Sequence, residues 1–139
     1  MIAYLDSSVV LRLVLGQPGR IQEWKKITTG VASGLVEVEC LRTIDRLQLA
    51  GQLSIEESVI RREAVYRVLE ALEVVELTAA VLRRASQLLS TPLGTLDAIH
   101  LASADLWREA REEVDVVFAT HDRALALGAR ASGFRVIGI

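Results

Sequence analysis

Four acidic residues occupy positions from which a carboxylate could do chemistry: Asp6, Glu39, Asp97 and Asp122. Asp6 directly follows the apolar run Ile2 to Leu5, and Asp122 lies three residues beyond the apolar run Val116 to Ala119. Each also precedes an apolar-periodic stretch, where Asp is a favoured helix N-cap. Position alone leaves cap and ligand both open for these two. Asp97 sits in the segment Leu96 to Ala104, which is apolar almost all round and therefore reads as a buried helix. The helix dipole and free amides favour a carboxylate in that first turn. Burial of an unpaired charge is costly, and a bound cation would offset the cost. Glu39 shares one helical stripe with Arg42, Thr43 and Arg46, whereas Glu37 points elsewhere. That stripe is either a solvated face with a Glu39–Arg42 ion pair, worth only about 0.3–0.5 kcal/mol, or part of a site.

Carboxylates without cysteines or ordered histidine pairs make an all-oxygen set, which suits Mg²⁺ or Mn²⁺ rather than zinc. Such an ion can lower the pKa of a water and stabilise a leaving oxygen, and the natural chemistry is phosphodiester hydrolysis. Asp6 and Asp97 are the candidates for the principal ion. Ser8 and Thr120 are candidate supporting hydroxyls, Ser8 by orienting Asp6 or contacting a cation-bound water. Arg42 and Arg46 are candidates for phosphate contacts, since Arg forks match phosphate geometry. His100 lies one turn beyond Asp97 and is expected to bond locally more readily than to ligate. His121 reads as an exposed loop histidine, and Cys40 as a buried structural thiol.

The elements that must carry these residues alternate. Short apolar strands are expected at Ile2 to Leu5, Val31-Ala32, Val74 to Leu77, Val116 to Ala119 and Arg135 to Ile139. Helices are expected over Val9 to Leu15, about Arg20 to Ile27, Leu35 to Ala50, Ser54 to about Leu72, Ala79 to Ser90, Thr95 to about Ala110, and Arg123 to Ala131. Ser54 with Glu57 forms a capping box, and Gly51 and Gly133 mark helix ends. The alternation predicts an α/β fold, a three-layer α/β/α sandwich with a central parallel sheet. In such sheets ligands bind outside the carboxyl ends of the strands. One domain over residues 1–139 is expected, with no repeat or linker.

Half of the 139 residues are apolar (51%) and 24% are charged, which excludes a disordered chain. No apolar run approaches the ~18–20 residues of a membrane span. The start of the chain shows no signal-peptide pattern, and the single cysteine cannot form an internal disulfide, so the cytoplasm is the expected compartment. The formal net charge of −2 gives no global attraction for nucleic acid, but Lys25 and Lys26 are the only lysines, so the cations are nearly all Arg.

In order along the chain, four segments resemble the motifs of the PIN-domain nucleases, specifically the VapC-type toxins of bacterial toxin–antitoxin modules. They are Tyr4-Leu5-Asp6-Ser7-Ser8, Ser33 to Arg42 with Glu39 in the catalytic place, Leu93 to Ala104 with Asp97, and Phe118 to Leu125 with Asp122. The resemblance implies a Rossmann-like fold and Mg²⁺- or Mn²⁺-dependent cleavage of RNA to 5′-phosphate and 3′-hydroxyl products. It also implies a homodimer held by a cognate antitoxin protein. Gly34 stands where Ser is commoner and Thr43 where a small Ala is usual. A catalytically silent PIN-like domain, acting as an RNA- or protein-binding module, is the alternative. Other acidic-site folds fit less well. A haloacid-dehalogenase-type phosphatase needs an Asp where Ser8 stands, a phosphoacceptor receiver needs a late Lys, and a metal-dependent adhesion motif fails at Val10.

Overall fold

The computed structural model describes residues 1–139. Five strands form one sheet: β1 (Ile2–Leu5), β2 (Thr29–Ser33), β3 (Glu73–Val75), β4 (Val116–Ala119) and β5 (Arg135–Ile137). Their order is β3-β2-β1-β4-β5, and every pair is parallel. The helices are α1 (Ser7–Val14), α2 (Leu35–Leu49), α3 (Ile55–Glu70), α4 (Ala79–Ala85), α5 (Thr95–Glu109) and α6 (Arg123–Ala131).

The central strands are buried on both sides, and their side chains alternate between two cores as the period of two requires. Ala3 and Leu5 of β1, with Ala32 and Ala119, pack under Val9, Val10 and Val14 of α1, Val36, Cys40 and Ile44 of α2, and Val65 of α3. Tyr4, Val31, Val116 and Phe118 face the other way, onto Leu101, Ala104 and Trp107 of α5 and Leu125 and Ala129 of α6. Helices thus cover both faces, giving the expected three layers.

Several boundaries differ from the sequence expectation. The helix expected from Arg20 is only a 3₁₀ turn, Gln22–Lys26, with no side-chain cap at Ile21. The strand expected at Val31-Ala32 runs from Thr29 to Ser33 because it is paired on both edges, by β1 and β3. A Cβ at Gly30 would lie 2.4 Å from Leu72 Cδ2, so a larger residue there would force Leu72 to move. Helix α4 stops at Ala85 rather than Ser90. Ser86 donates its amide to both Leu82 and Arg83 carbonyls and its hydroxyl to Leu82, tightening the last turn, and Leu88 beyond it is fully exposed with nothing to pack on. Strand β5 ends before Gly138, whose φ of +101° leaves the extended region. No helix is long and apolar enough to cross a membrane.

Candidate active site

The strand order reverses between β1 and β4: the chain proceeds outward from β1 through β2 to β3, then returns to β4 on the other side. A crevice opens at the carboxyl ends of two such diverging strands. Asp6 follows β1 there, and Thr120, His121 and Asp122 follow β4. The Asp6 amide donates to Ala119 O at 3.2 Å, tying the two strand ends together.

Asp6 and Asp122 are both helix caps. Asp6 Oδ1 accepts the Val9 amide at 3.3 Å, and Asp122 Oδ1 accepts the Leu125 amide at 2.8 Å. Asp6 is also held by two hydroxyls: Ser8 donates to Oδ1 at 2.6 Å and Thr120 to Oδ2 at 2.7 Å. Ser8 in turn accepts the His121 amide, and Thr120 the Asp122 amide, both at 2.9 Å. These bonds lock the two strand-end loops into one frame. Thr120 lies beneath the cleft, fully buried, rather than on its wall. His121 is not an exposed loop residue: its Nδ1–H donates to Gly138 O at 2.7 Å, and Nε2 is enclosed without a partner.

The other two acids arrive on helices. Glu39 of α2 does not pair with Arg42, which binds Asp45 instead at 3.0 Å. Its Oε1 takes a hydrogen bond from Ser7 Oγ at 2.7 Å and one from His100 Nε2 at 2.6 Å. Burial alone would push the Glu39 carboxyl up, but the His100 bond and charge, with the Ser7 bond, outweigh it and hold it below the usual range. Asp97, in the first turn of α5, is half-buried rather than enclosed; the deeply buried acid is Asp6, 4% exposed. Burial raises the Asp97 carboxyl, and the charge of Asp122 and, more weakly, of Asp6 and Glu39 adds to the rise while His100 opposes it. Asp97 therefore feels the charge of the other three acids.

All four border one cleft of about 410 Å³, together with Ser7, Ser8, Arg42, Thr43, Arg46 and His100. No three His, Cys, Asp or Glu side chains are gathered around a single point. A hard cation such as Mg²⁺ keeps several waters and takes only one or two carboxylates directly, so mutually repelling oxygens around a shared opening suit it. Ser7 was not legible as a site residue, and His100, expected to bond locally, instead bonds Glu39 and Tyr4. His100 stands on the apolar face of its helix, and Ser7 reads only as a helix start.

A PIN-domain family model matches residues 3–130. The chain belongs to the PIN-domain family. Among curated proteins it is 29% identical over 138 residues to the ribonuclease VapC47 of Mycobacterium tuberculosis, covering 94% of this chain and 92% of that one. Among solved structures it superimposes on VapBC-1 from nontypeable Haemophilus influenzae with a TM-score of 0.61, 18% identity, and coverage of 98% of this chain and 96% of that one. A FitAB complex bound to a DNA fragment gives a TM-score of 0.70 at 14% identity, covering 98% and 93%. At these identities the structural likeness establishes the fold.

Proposed function

We propose that this chain is a divalent-cation-dependent endoribonuclease and the toxin of a toxin–antitoxin pair. Four carboxylates from four separate elements, bordering one cleft at the switch point of a PIN-domain sheet, support this reading. The similarity to a protein named a ribonuclease supports RNA as the substrate. Asp6 and Asp97 would hold the principal Mg²⁺ or Mn²⁺, with Glu39 and Asp122 completing that site or holding a second ion. When bound, the cation supplies a water of lowered pKa as nucleophile and positive charge for the leaving oxygen.

The chain's own residues supply the rest. Ser8 and Thr120 fix the Asp6 carboxylate, each through a hydroxyl donated to a different oxygen. Arg46 reaches the cleft with only Thr43 Oγ1 as a partner, leaving guanidinium donors free for a phosphate. Arg42 also reaches the cleft but is shared with Asp45. A protein partner is supported by a structural neighbour from Klebsiella pneumoniae described as a toxin–antitoxin complex and by exposed Leu77, Leu82, Leu88 and Leu96. The antitoxin and a second copy of this chain are the partners we assign.

The test is cleavage of RNA with Mg²⁺ or Mn²⁺, with and without EDTA, for the wild type and Asp97→Asn. Cleavage that needs the cation and is lost in Asp97→Asn is expected. Undiminished cleavage in chelator, or by the variant, would overturn the reading.

A further inference from the structure

His100 is a polar ring in an apolar place. It is 1% exposed, on the inner face of α5 beside Leu101 and Ala104, one turn after Asp97. A leucine there would pack without any polar cost, whereas a buried imidazole is tolerated only when its nitrogens are bonded. Both are. Nε2 lies 2.6 Å from Glu39 Oε1, and a carboxylate only accepts, so Nε2 carries a proton and donates. Nδ1 lies 3.0 Å from the Tyr4 hydroxyl, which can give or take a bond and so keeps Nε2–H aimed at Glu39 in either charge state of the ring. Tyr4 is itself immobile: it is fully buried in β1, stacked on Phe118 with ring centroids 5.0 Å apart and edge-on to His100. Ser7, at the start of α1, bonds the same Oε1 and lies 3.3 Å from Nε2.

With Tyr4 of β1 behind His100, two donors from different helices, His100 of α5 and Ser7 of α1, thus converge on one oxygen of Glu39. Its other oxygen, Oε2, accepts nothing from the protein, and the residue borders the cleft. An unpinned Glu has several rotamers, and Arg42, three residues on, is within reach along the helix. We propose that His100, braced by Tyr4 and joined by Ser7, is a positioning residue that holds the Glu39 carboxylate with its unbonded oxygen toward the cation site. This rests on the reading of Glu39 as part of the nuclease site.

Four variants test it: His100→Leu, His100→Gln, Tyr4→Phe and Glu39→Gln. Each is measured for Mn²⁺ affinity by calorimetric titration, for RNA cleavage across Mn²⁺ concentrations, and for thermal stability. Loss of a side chain that orients a ligand costs about 10–100-fold in metal affinity or activity. His100→Leu is expected to lose that much in both while still folding. His100→Gln, which keeps an amide donor near the place of Nε2, is expected to regain most of it. Tyr4→Phe, which keeps the ring and removes only the brace, is expected to shift in the same direction by less. Wild-type Mn²⁺ affinity and cleavage in His100→Leu would overturn the proposal. Equal losses in His100→Leu and His100→Gln that track their melting temperatures would also overturn it, assigning His100 to packing alone. Full activity in Glu39→Gln would overturn the reading of Glu39 itself, an outcome distinguishable because it does not involve His100.

Discussion

Asp6 caps α1 and, in the function proposed, also supplies charge to the cation site; two substitutions pull these apart. Its carboxylate is 4% exposed and accepts from the Val9 amide, the Ser8 hydroxyl and the Thr120 hydroxyl. Asp6→Ala removes the cap of α1, worth about 1 kcal/mol. It also strands the Thr120 hydroxyl, which is fully buried, at about 1–3 kcal/mol. Ser8 is half-buried and can turn to water. The sum is about 2–4 kcal/mol, or roughly 6–14 °C in melting temperature for a chain of this size. Asp6→Asn is different. Its oxygen can still serve Val9 and Ser8, but its amide then faces Thr120 Oγ1, which already accepts the Asp122 amide. The Thr120 proton loses its acceptor, at about 1–2 kcal/mol, and the loss of repulsion with Asp97 offsets part of that. Asp6→Asn should therefore melt within roughly 5 °C of the wild type. Both variants remove a charge assigned to the cation, and a loss of about 3 kcal/mol in transition-state stabilisation corresponds to roughly 100-fold in rate. Melting curves in chelator and single-turnover RNA cleavage measure the two effects. Cleavage by Asp6→Asn above a tenth of the wild-type rate would refute the assigned role of the charge. An Asp6→Ala melting curve superimposable on wild type would refute the network.

The raised Asp97 carboxyl means that the native state binds its proton more tightly than the unfolded chain, so stability falls as pH rises out of the usual carboxylate range; Glu39, held low, contributes stability above that range that fades on acidification. In chelator at neutral pH, Asp97→Asn should melt about 1–4 °C above wild type, a partly exposed charge being worth under about 1 kcal/mol, and the gap should close toward pH 4. A variant melting below wild type at every pH would contradict this. Arg46→Ala should weaken RNA binding and lower the slope of log affinity against log salt by about 1, while Arg42→Ala, already shared with Asp45, should change it less. Equal slopes for the two variants, measured by filter binding in the presence of chelator, would remove the distinction.

The layers and the parallel sheet were legible because apolar strands bounded by turns alternate with 3.6-period helices, and those patterns survive any choice of boundary. Boundaries set by tertiary contact were not. Strand β3 runs from Glu73 to Val75 rather than from Val74 to Leu77, because the Glu73 backbone pairs with Val31 while its carboxylate is bound by Trp107 of α5 and by Arg111 just beyond that helix. Nothing local to residues 73–77 reveals that. The four acids were singled out as a set by the ordered resemblance to the family motifs, and the structure brings them to one cleft, but their burial was not legible. Asp97 seemed the dehydrated one because its helix is apolar all round, yet it lies in the first turn, where the helix emerges from the core. His100 was expected to bond locally, one turn beyond Asp97, but its partners are Glu39 and Tyr4, 61 and 96 residues away, which no local pattern reveals.

At Asp6 and Asp122 the observed cap leaves room for the proposed ligand role, and the bonding pattern of the four acids gives the reason. A carboxylate offers about four lone-pair sites. Asp6 spends three on Val9, Ser8 and Thr120. Glu39 and Asp122 each commit a single oxygen, Oε1 to His100 and Ser7 and Oδ1 to the Leu125 amide. Asp97 accepts no hydrogen bond from the protein, and it is the acid whose pKa the others raise. Capping therefore fixes the direction of a carboxylate at a strand end without exhausting it, and each acid is left with at least one lone pair uncommitted at the cleft. The rigid end of the series is Asp6 and the free end Asp97. Charge crowding should then be relieved first at Asp97 when a cation enters, with Asp6 moving least, because only Asp97 can reorient without breaking a bond that holds the fold.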